Sequence, residues 1–373
     1  MTMSSSDDPA PRTPFGLGLG VVVVLVAPIA CTEAPPDRAS KVGRRHYAWS
    51  DSDRQAFDGS RPRPLAATVW YPTEDPRTET LRQISVFRFG WSILDADLPA
   101  DNERRPLAVL SHGTGGSAAQ LSWLAEALAA RGFVVAAVNH HGNTAAEESL
   151  TREGFTFWWE RPPDLSRLVD RILEDSDWST RVDPERIVAA GFSLGGYTVL
   201  ALAGAQISLA RYNVFCEDNG DDPACLPPPE SQSVEDAFNP AATRNKRALA
   251  RANDDFSDPR IRAVAAVAPV LAPAITPQSL SAFDRPTSIV VGELDEQAFA
   301  SAQKYRDALG QRARFEALEG VSHYTFLAPC SLRGRLFVGA LCGDDVDRED
   351  VHRAVASDVL SFFRQTLGDL GAR

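Results

Sequence analysis

Lysine is nearly missing from this chain: three stand among 373 residues, so arginine supplies almost all of the 38 basic side chains. Against 50 acidic residues this leaves a formal net charge of −12. No stretch gathers the basic residues into a stripe, and nucleic acid is therefore not an expected partner. The acidity otherwise speaks to solubility alone. Cysteine is sparse as well, with five residues and no CxxC spacing, which makes zinc a poor reading. Histidine numbers six, so a proton-transfer role has few places to fall. No internal repeat is visible.

Long hydrophobic runs are absent but for one. "FGLGLGVVVVLVAPIAC" carries no charge from Phe15 to Cys31. It is short for a membrane span and broken by Gly and Pro, so it reads as an export signal. Ala30 before Cys31 suggests cleavage there and membrane attachment through a lipid on Cys31, although Pro28 stands where an aliphatic residue is usual. Residues 1–30 are thus read as a signal or lipoprotein signal, 31–40 as a linker, and 41–373 as one domain. The expected location is periplasmic or extracellular. Export agrees with the other cysteines, Cys216 with Cys225 and Cys330 with Cys342. Three pairings can be drawn, and the two local ones are simplest. Each closes a loop of roughly ten residues, worth about 2.5–3 kcal/mol in the chain-entropy model. Four reduced core thiols are the alternative.

What is present is ordinary globular material, 44% apolar and 24% charged. "RHYAWSD" and "LAATVWYP" read as paired strands near an antiparallel edge, and residues 73–104 as irregular. From "PLAVLSHG" (106–113) onward, continuous apolar runs alternate with helical patterns. Strands are read at 133–140, 186–193, 261–270 and 287–296, a last strand with its loop at 313–324, and helices at 118–132, 163–176, 195–205, 298–310 and 347–367. This alternation predicts an α/β fold, a mostly parallel doubly wound sheet with helices on both faces. Residues 206–259 interrupt it with a cysteine pair, a "PPP" run and acidic patches, and read as an inserted, lid-like segment. In such sheets ligands bind beyond the carboxyl ends of strands, so polar residues just after a strand count most.

"AAGFSLGGY" (189–197) places Ser193 between an apolar strand and a small-residue helix. Gly191 and Gly195 permit the sharp turn that exposes a serine at its apex, the G-x-S-x-G nucleophile elbow. The pattern alone is weak, and the strand before and helix after are what support it. A serine hydroxyl needs a base. In the order that goes with this elbow, an acid and then a histidine follow the serine. Only His323 and His352 lie beyond it. His352 sits in "DREDVHRAV", read as an exposed helix, whereas His323 follows the last strand in "EGVSHYTF" and is the base candidate. Asp295 in "GELDE" is the acid candidate, with Glu293 and Glu296 as rivals. The expected oxyanion donors are the backbone N–H groups of Leu194 and of Thr114 in "LSHGTGGSA", with Gly113 or Gly115 as alternatives to Thr114 and His112 bracing the loop. His140 and His141 in "VNHHGNT" are read as lining the substrate site and not as metal ligands, since no carboxylate or cysteine nearby completes a set. Phe157, Trp158 and Trp159 are read as walls of the acyl pocket. No metal and no cofactor are expected.

Taken together, "LSHGTGG", "VNHHGN", "ERPPDLS", "GFSLGG", "GELDE" and "VSHYTFLAPC" resemble the bacterial exported α/β-hydrolases labelled predicted dienelactone hydrolases, which are similar to platelet-activating-factor acetylhydrolases. The resemblance spans about residues 60–367. It implies the α/β-hydrolase fold and a serine esterase acting on a small-molecule or lipid-like ester, with nucleophile, acid and base at Ser193, Asp295 and His323. True dienelactone hydrolases use a cysteine nucleophile, so lactone hydrolysis is not carried over. Acyl transfer, or a non-catalytic binding module on the same fold, are the alternatives. The protein is expected to act as a monomer.

Overall fold

A computed structural model describes residues 38–101, 103–235 and 246–371. The export segment and Cys31 therefore lie outside the described residues. Ten strands form one sheet: β1 (Lys41–Gln55), β2 (Pro62–Thr73), β3 (Thr80–Ile84), β4 (Phe87–Leu94), β5 (Arg105–Ser111), β6 (Val134–Val138), β7 (Val182–Phe192), β8 (Ile261–Val267), β9 (Thr287–Gly292) and β10 (Ala313–Leu318). Their order is β10-β9-β8-β7-β5-β6-β2-β1-β4-β3. From β10 to β6 every pairing is parallel. β2 joins β6 antiparallel and β1 joins β2 antiparallel. β5 and β6 are buried along their whole length, as expected of strands covered on both faces.

The helices are α1 (Ser122–Ala129), α2 (Arg152–Thr156), α3 (Arg161–Glu174), α4 (Leu194–Leu202), α5 (Leu209–Asp218), α6 (Lys246–Ala250), α7 (Pro277–Ala282), α8 (Phe299–Leu309), α9 (Leu332–Phe337), α10 (Gly339–Cys342) and α11 (Arg348–Gly371). α3 begins with prolines in its first turn, where no N–H is needed. It buries Leu165, Leu168, Val169 and Ile172, a stripe of helical period. α4 is buried on every side, which its small residues permit.

Residues 73–104 differ from the irregular stretch expected. They hold the β3–β4 hairpin, which extends the sheet through a parallel pairing of β4 with β1. Its two-residue turn needs Ser85 at φ +54°, a conformation that the sequence does not advertise with glycine. The segment read as an insertion carries α5, α6 and the Cys216–Cys225 disulfide, while Cys330 and Cys342 form a second bridge. Both local pairings are thus the ones present. Residues 236–245 of that segment lie outside the described residues. Among the described residues no helix is long and apolar enough to cross a membrane.

β5 is flanked by β6 on one side and β7 on the other, both parallel to it, so the order in which strands are added reverses there. Ser111 and Gly191 are register partners at the ends of β5 and β7. The loops after these strands therefore emerge side by side, at the topological switch point where open sheets place their ligands.

Candidate active site

Ser193 ends β7 and begins α4 with φ +56° and ψ −119°. That region is strained for a residue with a side chain and persists only where the surroundings impose it. They do so here. A Cβ on Gly191 would collide with the Gly195 carbonyl, and one on Gly195 with the Ser111 carbonyl. Ser193 N–H donates to Val267 O at 2.9 Å, and Ser193 O accepts from Gly196 N–H at 2.8 Å.

The Ser193 hydroxyl lies 3.0 Å from His323 Nε2, and His323 Nδ1 lies 2.7 Å from Asp295 Oδ2. An ionised carboxylate only accepts, so Nδ1 carries the ring proton and Nε2 is left to accept from the serine. Asp295 Oδ1 accepts the N–H groups of Gln297 at 3.0 Å and Ala298 at 2.8 Å, which fixes the carboxylate after β9. Asp295 is buried while Glu293 and Glu296 are exposed, and the hydrogen bond to His323 goes to Asp295.

Two backbone N–H groups in the loops beside Ser193 have no partner among the described residues. Leu194 is the first residue of α4, where no intrahelical partner exists. In the β5 loop, Gly113 N–H is committed to Gln120 Oε1 and Gly115 N–H to Asn143 Oδ1, each at 2.7 Å. Thr114 N–H has no such partner among the described residues. His112 accepts His140 N–H at Nε2 (3.1 Å), so its Nδ1–H donates to Gly113 O at 2.7 Å. In a trans peptide the C=O and N–H point opposite ways, so this bond turns Thr114 N–H away from the ring. Arg161, buried behind the loop, donates to His112 O. Burial lowers the guanidinium to about 9, with Asp164 opposing, and holds His112 well below its usual range.

His140 and His141 are not where the sequence reading put them. His140 is fully buried, with Nε2 2.9 Å from Ser111 Oγ and Nδ1 3.0 Å from Asp164 Oδ2. Desolvation brings it down to about 3. This is a second Ser–His–Asp chain, but all three members are 0% exposed. Asp164 is further gripped by Arg54 at 2.6 Å and Arg63 at 2.7 Å. Ser111 is the last residue of β5 and has no strained backbone turn to present it. His141 pairs with Glu147 at 2.8 Å and stacks on Phe57. Phe157, Trp158 and Trp159 are core residues, 2% exposed or less. Trp159 Nε1–H donates to Ala248 O at 2.8 Å, and Trp158 packs edge-on against Tyr197 and Tyr212.

His352 is also a correction: it is 4% exposed, stacks on Trp123 at 4.3 Å, and donates from Nε2 to Thr325 O at 2.9 Å. Trp123 Nε1–H donates to Phe326 O at 3.1 Å. Both residues thereby brace the 3-10 turn His323–Phe326. Glu230 was missed too. It comes from the inserted segment, accepts from Tyr324 Oη at 3.4 Å, and lies so near Gly115 that a Cβ there would meet it at 3.0 Å. No local motif marks these three; only the tertiary fold brings them to the site.

The comparisons with known proteins agree with this architecture. A family model described as alpha/beta hydrolase family matches residues 108–332, more than half of the chain. Cutinase est1 of Thermobifida alba is 28% identical over 113 residues, 30% of this chain and 34% of that protein. A cutinase of Thermobifida fusca (strain YX) is 26% identical over 113 residues, 30% of this chain and 32% of its own. The match thus spans about a third of the length of these curated relatives. A solved ferulic acid esterase from Streptomyces cinnamoneus superposes with a TM-score of 0.59 at 19% identity, covering 90% of this chain and 92% of that one, which is a likeness of fold. With the elbow, the switch point and the family match in agreement, the chain belongs to the alpha/beta hydrolase family.

Proposed function

We propose that this protein is a carboxylic ester hydrolase working through an acyl-serine. The reading is carried by one observation: a serine at a strained strand-to-helix apex lies 3.0 Å from an imidazole whose other nitrogen lies 2.7 Å from a buried carboxylate. His323 takes the proton from Ser193 as the hydroxyl attacks the ester carbonyl. Asp295 holds the ring in the Nδ1–H tautomer and offsets the charge of the imidazolium. Leu194 and Thr114 N–H groups bind the developing oxyanion, helped by the N-terminus of α4 and by the cation of Arg161 behind the loop. His323 then returns its proton to the leaving alcohol. Water attacks the acyl-serine with His323 again as base, which releases the acid and restores Ser193.

The names of the matched relatives, cutinases among them, support ester substrates. The finer reading, an exported enzyme similar to platelet-activating-factor acetylhydrolases, rests on the sequence blocks, and two disulfides support the export part of it. Labelling with a fluorophosphonate, alongside hydrolysis of short-chain aryl esters, tests the proposal. Wild type is expected to label and turn over, and Ser193→Ala to do neither. Turnover unchanged in Ser193→Ala would end it.

A further inference from the structure

α9 departs from the polar character of the surface around it. Its six residues read LRGRLF, and Leu332, Leu336 and Phe337 are 72%, 67% and 81% exposed. A single exposed leucine means little, but three large apolar side chains on one short helix form a patch. The helix is not a loose end. The Cys330–Cys342 bridge closes around it, and Ser331 caps it by accepting from Gly334 N–H at 3.3 Å. Ser331 N–H donates to Val86 O at 2.7 Å and Phe87 bridges Cys330, which seats the segment on the β3–β4 turn. Ile84 on that turn is itself 49% exposed.

Charge says what kind of surface this ridge meets. Arg333 and Arg335 are exposed between the apolar residues, and neither guanidinium meets a carboxylate among the described residues. Of the acidic residues that follow, Asp344 pairs with Arg348 at 2.5 Å, Glu349 pairs with Arg88 at 3.2 Å, Asp347 accepts the N–H groups of Glu349 and Asp350, and Asp345 is exposed. In a chain of net charge −12, α9 itself carries two arginines and no acidic residue.

We propose that α9 docks the protein on an anionic lipid surface. Leu332, Leu336 and Phe337 enter the boundary of the acyl chains, while Arg333 and Arg335 meet the lipid phosphates. Apolar anchors interleaved with arginines are the composition of interfacial helices. Because the rest of the molecule is acidic and is repelled by such a surface, contact is confined to this ridge. The inference does not rest on the ester-hydrolase reading.

The test uses the full chain with Cys31→Ser, so that no lipid on that residue contributes. The other cysteines are bridged, so Phe337→Cys then offers one thiol for an environment-sensitive fluorophore. Vesicles of phosphatidylcholine with phosphatidylglycerol should shift its emission to the blue, pure phosphatidylcholine far less, and added salt should reverse the shift. A label at Ala308→Cys, on a helix beside the opposite sheet edge, should not respond. In co-sedimentation, Leu332→Ser with Phe337→Ser should cut the bound fraction about tenfold, and Arg333→Gln with Arg335→Gln should abolish the preference for phosphatidylglycerol. These variants should keep wild-type turnover of soluble aryl esters, and Ser193→Ala should still bind vesicles. No blue shift at position 337, equal response to both vesicle types, or a dimer in sedimentation velocity that Phe337→Ser dissolves would overturn the proposal.

Discussion

Ser111 Oγ lies 2.9 Å from His140 Nε2, nearly the span that separates Ser193 from His323. The protein thus holds two serine–histidine–aspartate chains, and only one has a strained turn and unclaimed N–H donors beside it. Ser111→Ala should therefore cost less than about tenfold in kcat/KM and still label with a fluorophosphonate, whereas Ser193→Ala should lose more than about 10³-fold, the loss expected when a triad acts as a unit. Rates and labelling of the two variants, measured side by side, check this. Equal loss in both would mean the inner chain takes part in the chemistry.

Asp295 acts on the tautomer of His323, and an amide in its place can donate to Nδ1 and leave the wrong nitrogen protonated. Asp295→Asn is expected to lower kcat by about 10⁴ with little change in KM. Glu293→Gln and Glu296→Gln, both at exposed carboxylates, should remain within about twofold of wild type. Steady-state kinetics on one aryl ester separate the three.

Glu230 spans the loop after β5 and the residue after His323, and it has no ion-pair partner among the described residues. Its charge should disfavour anionic acyl groups. Glu230→Gln is expected to raise kcat/KM for esters of dicarboxylic half-acids relative to neutral esters by about three- to tenfold, the scale of about 1 kcal/mol across a partly solvated site. Salt should shrink the difference in wild type. A ratio that the substitution leaves unchanged would remove Glu230 from substrate selection.

Burial holds His352 down to about 3, with Arg348 adding to the effect and Asp347 opposing it. The unfolded chain takes up this proton near 6.5, so the folded state is favoured above that pH and loses about 1.4 kcal/mol per unit as pH falls toward 3. His352→Phe should flatten the dependence of urea-unfolding free energy between pH 6 and 5 by about one proton. His140 and His112, also held low, should leave the variant part of its slope.

The elements proposed to carry the chemistry are legible because local geometry demands particular residues there. Gly191 and Gly195 are dictated by carbonyl oxygens that leave no room for a Cβ, and the fully buried parallel strands announce themselves as continuous apolar runs. His352 was not legible: charged neighbours surround it in sequence, and nothing there says that Trp123 packs on its ring. His140 and His141 follow a strand end as site residues do, yet each ring is taken up by a carboxylate, a long-range one for His140. The β3–β4 hairpin was missed for lack of glycine in its turn.

The two disulfides span nine and twelve residues, and none of their cysteines lies within the ten strands. One ties the insertion that brings Glu230 to the site, and the other encircles α9. Neither links strands of the core, whose assembly is left to burial and parallel pairing. A cytosolic host is therefore expected to yield molecules with an intact sheet and Ser193 turn but slack peripheral fittings. Batches made in different hosts would then differ in which esters they admit and what they adhere to, while agreeing on how fast a small neutral ester is cleaved.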